Sequence, residues 1–214
     1  MSEPNLLPGR RSSAAVLAVV AALAALVVAV LGVRYAGQGD ARGVDARLAG
    51  VVYGVEPPWR SVALALDSLG EPVGAAALVV PVVAGCLLLR RPRAAVFVVV
   101  GVGLAVGVAT LLKHLAGRTI HGDNLSYPSG HTAFLTALAL AVATVATRRR
   151  GRDGPGPGTP LVFAAALAAG AVMGWAQVAL GAHYPTDVLG GWCTALAVVP
   201  ATAWLVDRPR PGRP

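Results

Sequence analysis

Six apolar runs, each near the length of a membrane-crossing helix, constrain this chain more than any other feature. A helix needs about 20 mainly apolar residues to cross the hydrocarbon layer of a bilayer. Stretches 13–33, 73–89, 94–112, 131–147, 161–180 and 188–206 meet that need, and the intervals between them hold nearly all the Arg, Asp and Pro. Together they take up more than half of the 214 residues. The expected fold is therefore all-α: one polytopic membrane domain over 13–206, built as a six-helix bundle, with short cytoplasmic tails at 1–12 and 207–214. Charged residues make up 13% of the chain, against about a quarter in a soluble domain. That excludes intrinsic disorder and argues against a water-soluble globule. Cys86 and Cys193 both lie inside apolar runs, which argues against a disulfide framework or a cysteine zinc cluster.

The first run follows Arg10 and Arg11, as a signal peptide's would. It is longer than a signal core of about 7–15 residues, so it reads as a retained anchor. The second run is the weakest, with Pro72, Gly74 and Pro81 in or beside it. Proline is tolerated in membrane helices.

Orientation follows from the basic residues. With the N-terminus inside, 12 of the 18 basic residues fall on inner segments, among them Arg90, Arg91, Arg93 and Arg148 to Arg150. Seven of the ten acids fall on outer segments. This positive-inside bias predicts cytoplasmic termini and a multi-pass protein of the plasma membrane. The net charge of +8 is then a topology signal, and nucleic acid is not expected as a partner.

The longest outer segment, 35–72, turns apolar at 59–69, where Trp59, Val62, Leu66 and Leu69 recur at helical spacing. A short interfacial helix and an ordered loop with a Trp anchor both fit that pattern. The inner segment 148–160 is basic and then Gly/Pro-rich, and reads as a flexible turn.

The polar chemistry gathers at one face. His114, His121, His131 and His183 all fall at the outer ends of spans three to six, with Lys113, the single lysine in the chain. Pro128-Ser129-Gly130-His131 opens span four. Pro and Ser suit a helix start, whose unpaired N–H groups and positive dipole end suit an anion. The bland reading is a capped helix with an interfacial histidine. His183 and Asp187 stand four apart at the entry to span six, where a carboxylate on one imidazole nitrogen would leave the other free to attack. The bland reading is a surface histidine beside a capping aspartate. Lys113 and Arg118 add positive charge at the same depth, or serve as snorkelling anchors. Taken together, these residues suggest a phosphate site.

At this point the sequence resembles the type 2 phosphatidic acid phosphatase family, which includes bacterial lipid-diphosphate phosphatases. Its signature has three parts: Lys, six residues, Arg-Pro, often with an extra Arg two places earlier; Pro-Ser-Gly-His; and Ser-Arg, five residues, His, three residues, Asp. The second part is intact at 128–131, and the His and Asp of the third at His183 and Asp187. Lys113 matches the start of the first part and Arg118 its extra Arg. The Arg-Pro of the first part falls on Ile120-His121, and the Ser-Arg of the third on Ala176-Gln177. Loss of those two arginines implies weaker phosphate binding or a different substrate, since a charge-assisted hydrogen bond is about twice as strong as a neutral one.

The resemblance implies hydrolysis of a phosphate monoester or diphosphate on a membrane lipid at the extracytoplasmic face, without metal or other cofactor. His183 is the implied nucleophile, passing through a phosphohistidine, and Asp187 orients it. His131 is the implied acid and base. Lys113, Arg118, Ser129 and Gly130 are the implied phosphate cradle. The alternative is a non-catalytic member that binds lipid phosphates or a membrane partner. A transporter fits less well, because no ionisable residue falls at mid-membrane. An acyl hydrolase at Ser129 lacks a Gly-x-Ser-x-Gly elbow.

Overall fold

The computed structural model describes residues 11–147 and 158–207. Most of the basic Gly/Pro-rich turn expected at 148–160, and nearly all of both tails, lie outside the described residues. The elements run α1 (Arg11–Arg34), α2 (Val44–Val52), α3 (Trp59–Ser68), α4 (Pro72–Leu88), α5 (Pro92–Ala116), β1 (Thr119–Ile120), β2 (Asn124–Leu125), α6 (Gly130–Thr147), α7 (Thr159–Ala179) and α8 (Pro185–Asp207).

Five helices, α1 and α5 to α8, are each long and apolar enough to cross a membrane. The weak second span is α4, which at 17 residues reaches that length only together with α3. The two are bent by 66° across their short break. Pro72 stands at the first turn of α4, where its missing N–H costs nothing, and the preceding residue is pushed out of the helical region. Glu71 accordingly has ψ 157°. The segment 59–69 is thus a helix, and it packs on α7, with Trp59 set edge-on to Trp175 at 6.3 Å. Helix α2 was not expected from the sequence.

Helix α6 is the centre of the bundle, flanked by α5, α7 and α8, while α1 lies along α8 and α4 along α5. The core is made of small and medium residues: Ala105, Ala137, Ala141 and Ala195 are fully buried beside Phe97, Val98 and Phe134. Helices in lipid gain little from hiding apolar surface from one another, so small side chains that permit close packing decide the interfaces. Gly191 shows how tight this becomes, since a Cβ there would strike the carbonyl oxygen of Ser129. Leu23, Leu26 and Val30 of α1 stay more than half exposed, as lipid-facing residues do.

Candidate active site at one end of the bundle

The C-termini of α5 and α7 and the N-termini of α6 and α8 share one end of the bundle, as the spacing of the histidines predicts. Helix α5 stops at Gly117, whose left-handed conformation (φ 58°) closes the helix. A two-residue antiparallel ladder follows, with Thr119 opposite Leu125 and Ile120 opposite Asn124. Its turn holds His121 and Gly122 at φ 50° and 86°, both in the left-handed region that Gly adopts freely and His tolerates. His121, which the sequence left without a role, places Nε2 2.9 Å from the Gly181 carbonyl oxygen. It ties this hairpin to the loop that carries His183. His114 is exposed and takes no part.

Arg118 is not in the cradle. It is fully buried, with Nη1 donating to Asp187 Oδ1 at 2.6 Å and to Thr186 Oγ1 at 2.7 Å. Its Nη2 donates to Asp45 Oδ2 at 2.6 Å. The rings of Tyr35 and Tyr184 flank the guanidinium, each with its centroid 4.3 Å from Cζ. The physical reason for the departure is Asp45, on the unexpected helix α2. It adds a second carboxylate that, with Asp187, draws the cation into the protein. Asp45 also accepts from the Thr186 backbone N–H at 2.9 Å and hydroxyl at 2.7 Å, which pins the start of α8. A buried cation facing two buried carboxylates fixes geometry and leaves little of its charge for a ligand.

Asp187 therefore enters the site already fixed. Its Oδ1 is held by Arg118, and its Oδ2 accepts from the Tyr184 backbone N–H at 3.0 Å. That same Oδ2 lies 3.7 Å from His183 Nδ1. His183 is itself buried. Burial, joined by the positive charge of Lys113, pulls its pKa below the ordinary 6.5 against the raising effect of Asp187. At neutral pH the imidazole is uncharged, with one nitrogen turned toward a fixed carboxylate.

Ser129 is the N-cap of α6. Its Oγ accepts from the Thr132 backbone N–H at 3.4 Å and hydroxyl at 3.0 Å, and its own N–H donates to the Asp187 carbonyl at 2.9 Å. Ser129 thus joins the two histidine segments, with the lone pairs of its hydroxyl used by the cap. The first N–H groups of a helix have no partner within it, and here they belong to Gly130 and His131. A Cβ on Gly130 would meet nothing within 4 Å, so space is open beside that helix start. Lys113, half-buried, donates Nζ to the Leu125 carbonyl at 2.8 Å and the Ser126 carbonyl at 3.4 Å. An ammonium has three donors, which leaves capacity for a further acceptor.

His131 has company that the sequence did not reveal. Its Nε2 lies 3.5 Å from Asp67 Oδ1 and 3.5 Å from Glu71 Oε1, at the bend between α3 and α4. Gly70 lies flat against the imidazole, where a Cβ would strike it. Asp67 accepts from Gln177 Nε2 at 2.7 Å, so one of the two neutral replacements in the signature holds an acid in place. Ligand atoms of Asp67, Glu71 and His131 lie within 4.8 Å of one another, a set that a divalent cation could also use. Asp45, Asp67 and Glu71 all come from segment 35–72. Their one sequence signal is that acids stand there beside helix-breaking Gly and Pro, and nothing in the spacing ties them to the histidines.

A family model described as the PAP2 superfamily matches residues 94–211, more than half of the chain. The fold is similar to the crystal structure of a transmembrane PAP2-type phosphatidylglycerolphosphate phosphatase from Bacillus subtilis. The two are 19% identical with a TM-score of 0.73, over 90% of this chain and 98% of that one. None of the curated proteins compared matches the chain.

Proposed function

The chain belongs to the PAP2 superfamily and shares the fold of a transmembrane phosphatase, and from that premise we propose that it is a membrane phosphatase that cleaves the phosphate ester of a membrane lipid by a covalent route through His183. The observation that carries this reading is the fixed pair at the start of α8: a buried, neutral His183 with Nδ1 3.7 Å from an Asp187 carboxylate that Arg118 and a backbone N–H hold still. In the reaction, His183 Nε2 attacks phosphorus and the bond from phosphorus to the leaving oxygen breaks. A protonated His131 gives that oxygen its proton. Asp187 stabilises the charge that develops on the His183 ring. Water then attacks the phosphohistidine, His131 takes up the water's proton, the P–N bond breaks, and inorganic phosphate leaves.

Phosphoryl transfer is mostly positioning and charge stabilisation. Lys113 Nζ and the backbone N–H groups of Gly130 and His131 supply the charge here. Ser129 shapes the cradle through its cap, and Arg118 acts through Asp187 as a positioning residue. The positive-inside bias of the sequence supports a site at the extracytoplasmic face of the plasma membrane, with substrate entering from the outer leaflet.

The test is phosphate release by detergent-purified protein with chelator present, on phosphatidate, phosphatidylglycerol phosphate and a polyprenyl diphosphate. Chelator-resistant release is expected, and His183→Ala should lower it by a thousandfold or more, on the order of other lost nucleophiles. Turnover by His183→Ala near that of the unaltered protein would end the covalent assignment. Retained lipid-phosphate binding without turnover would favour a non-catalytic binder.

A further inference from the structure

The two histidines face different charges. His183 has Lys113 nearby and the Asp187 carboxylate, which is itself bound to Arg118. On the His131 side stand Asp67 and Glu71, each 3.5 Å from Nε2. Among the described residues neither carboxylate has a Lys or Arg partner; Asp67 is held by the neutral Gln177. The acid that protonates a leaving group must stand next to it. If His131 is that acid, the leaving group lies beside two carboxylates.

We propose that Asp67 and Glu71 are specificity determinants that select phosphate monoesters of alcohols over diphosphates. This rests on the reading of His131 as the acid for the leaving group. An alcohol leaves as a neutral group whose hydroxyl can donate to a carboxylate. A diphosphate expels a second phosphate, which carries negative charge throughout and is repelled by both acids. Rejection by a like charge is an established way to build selectivity. Cleavage of the monoester breaks the bond from phosphorus to the alkoxy oxygen, moves the His131 proton to that oxygen and releases the lipid alcohol, with no other reactant than water. With side-chain exposures of 59% for Glu71 and 29% for Asp67, Glu71 is the more screened of the two charges and Asp67 the less.

The experiment compares kcat/KM for phosphatidate, whose leaving group is the neutral diacylglycerol, and a polyprenyl diphosphate, in detergent with chelator present so that no cation rests on the acid pair. The unaltered protein should prefer the monoester. Glu71→Gln should lower the monoester-to-diphosphate ratio about fourfold, the effect of one contact charge in water, and Glu71→Gln with Asp67→Asn should lower it more than tenfold. Glu71→Gln alone carries the test should Asp67→Asn fail to fold. A ratio unchanged in all variants that turn over, or an unaltered protein that prefers the diphosphate, overturns the inference and leaves the phosphatase reading standing. Failure of the unaltered protein to release phosphate from any substrate overturns both.

Discussion

The apolar bundle and the polar layer at its end solve the same problem, buried polar groups, in opposite ways. Within the bundle the solution is local. The hydroxyls of Thr194 and Thr202 donate to carbonyls one turn back on their own helix, at 2.8 Å and 2.9 Å, and fully buried alanines let the helices close on each other. In the end layer the bonds join distant parts of the chain: Arg118 to Asp45, Gln177 to Asp67, Tyr127 Oη to the Val28 carbonyl at 2.6 Å, and Tyr184 Oη to the Gly39 carbonyl at 2.9 Å. Packing in the bundle is spread over many contacts of similar worth. Order in the end layer depends on a few bonds, each with no substitute. The histidines are aligned by the second kind of order, so function should be more easily lost than fold.

Arg118→Met is the sharpest way to break that contrast. It leaves Asp45 and Asp187 buried without their cation, and stranding a buried charge costs about 3–5 kcal/mol. Thermal inactivation in detergent should fall by many degrees. Turnover should fall too, because Asp187 loses the bond that fixes its Oδ1. Asp45→Asn in the same background should recover part of the stability, since it removes one of the stranded charges. An Arg118→Met protein as heat-stable as the parent would show that the end layer does not depend on this ion pair.

The next test acts on the bundle. Ala137 of α6 is fully buried in the core, and Ala137→Leu should cost about 1–3 kcal/mol through overpacking, read as a lower temperature of inactivation. Below that temperature kcat should stay near the parent's, because the strain is shared among helices and the histidine segments are tied at the other layer. A loss of kcat as large as that of Arg118→Met would show that bundle packing aligns the site directly. Leu26→Ala on the lipid-facing side of α1 should shift stability by no more than about 0.5 kcal/mol.

The same contrast decides what could be read from the sequence. The spans were legible because lipid imposes one requirement on every residue of a crossing helix, and a window of composition records it. The end of the bundle that carries His131, His183 and Asp187 was legible because helix ends and hydropathy fix depth. The ion pair of Arg118 was not legible because depth does not say which way a side chain faces, and its partner Asp45 lies 73 residues away on a helix of only nine residues. Asp67 and Glu71 were missed for a related reason. The bend that delivers them to His131 depends on the packing of α3 against α7, and no local pattern encodes it.

The smallest expected effect is a displacement along the pH axis, and it belongs to the end layer alone. Attack requires neutral His183. Its burial, with the charge of Lys113, holds the pKa below 6.5, so the acid limb of kcat/KM should lie below pH 6.5. Activity should survive as pH falls through that value. Stability carries the same sign. A histidine whose folded pKa is depressed binds fewer protons folded than unfolded, so its contribution is complete above 6.5 and declines as pH falls from there toward the folded pKa. Lys113→Met removes one of the three lowering influences, the others being burial and His131, so its acid limb should move up toward 6.5. An acid limb at or above pH 6.5 in the parent would show that Asp187 outweighs burial, and that the nucleophile is set by its carboxylate more than by its place in the fold.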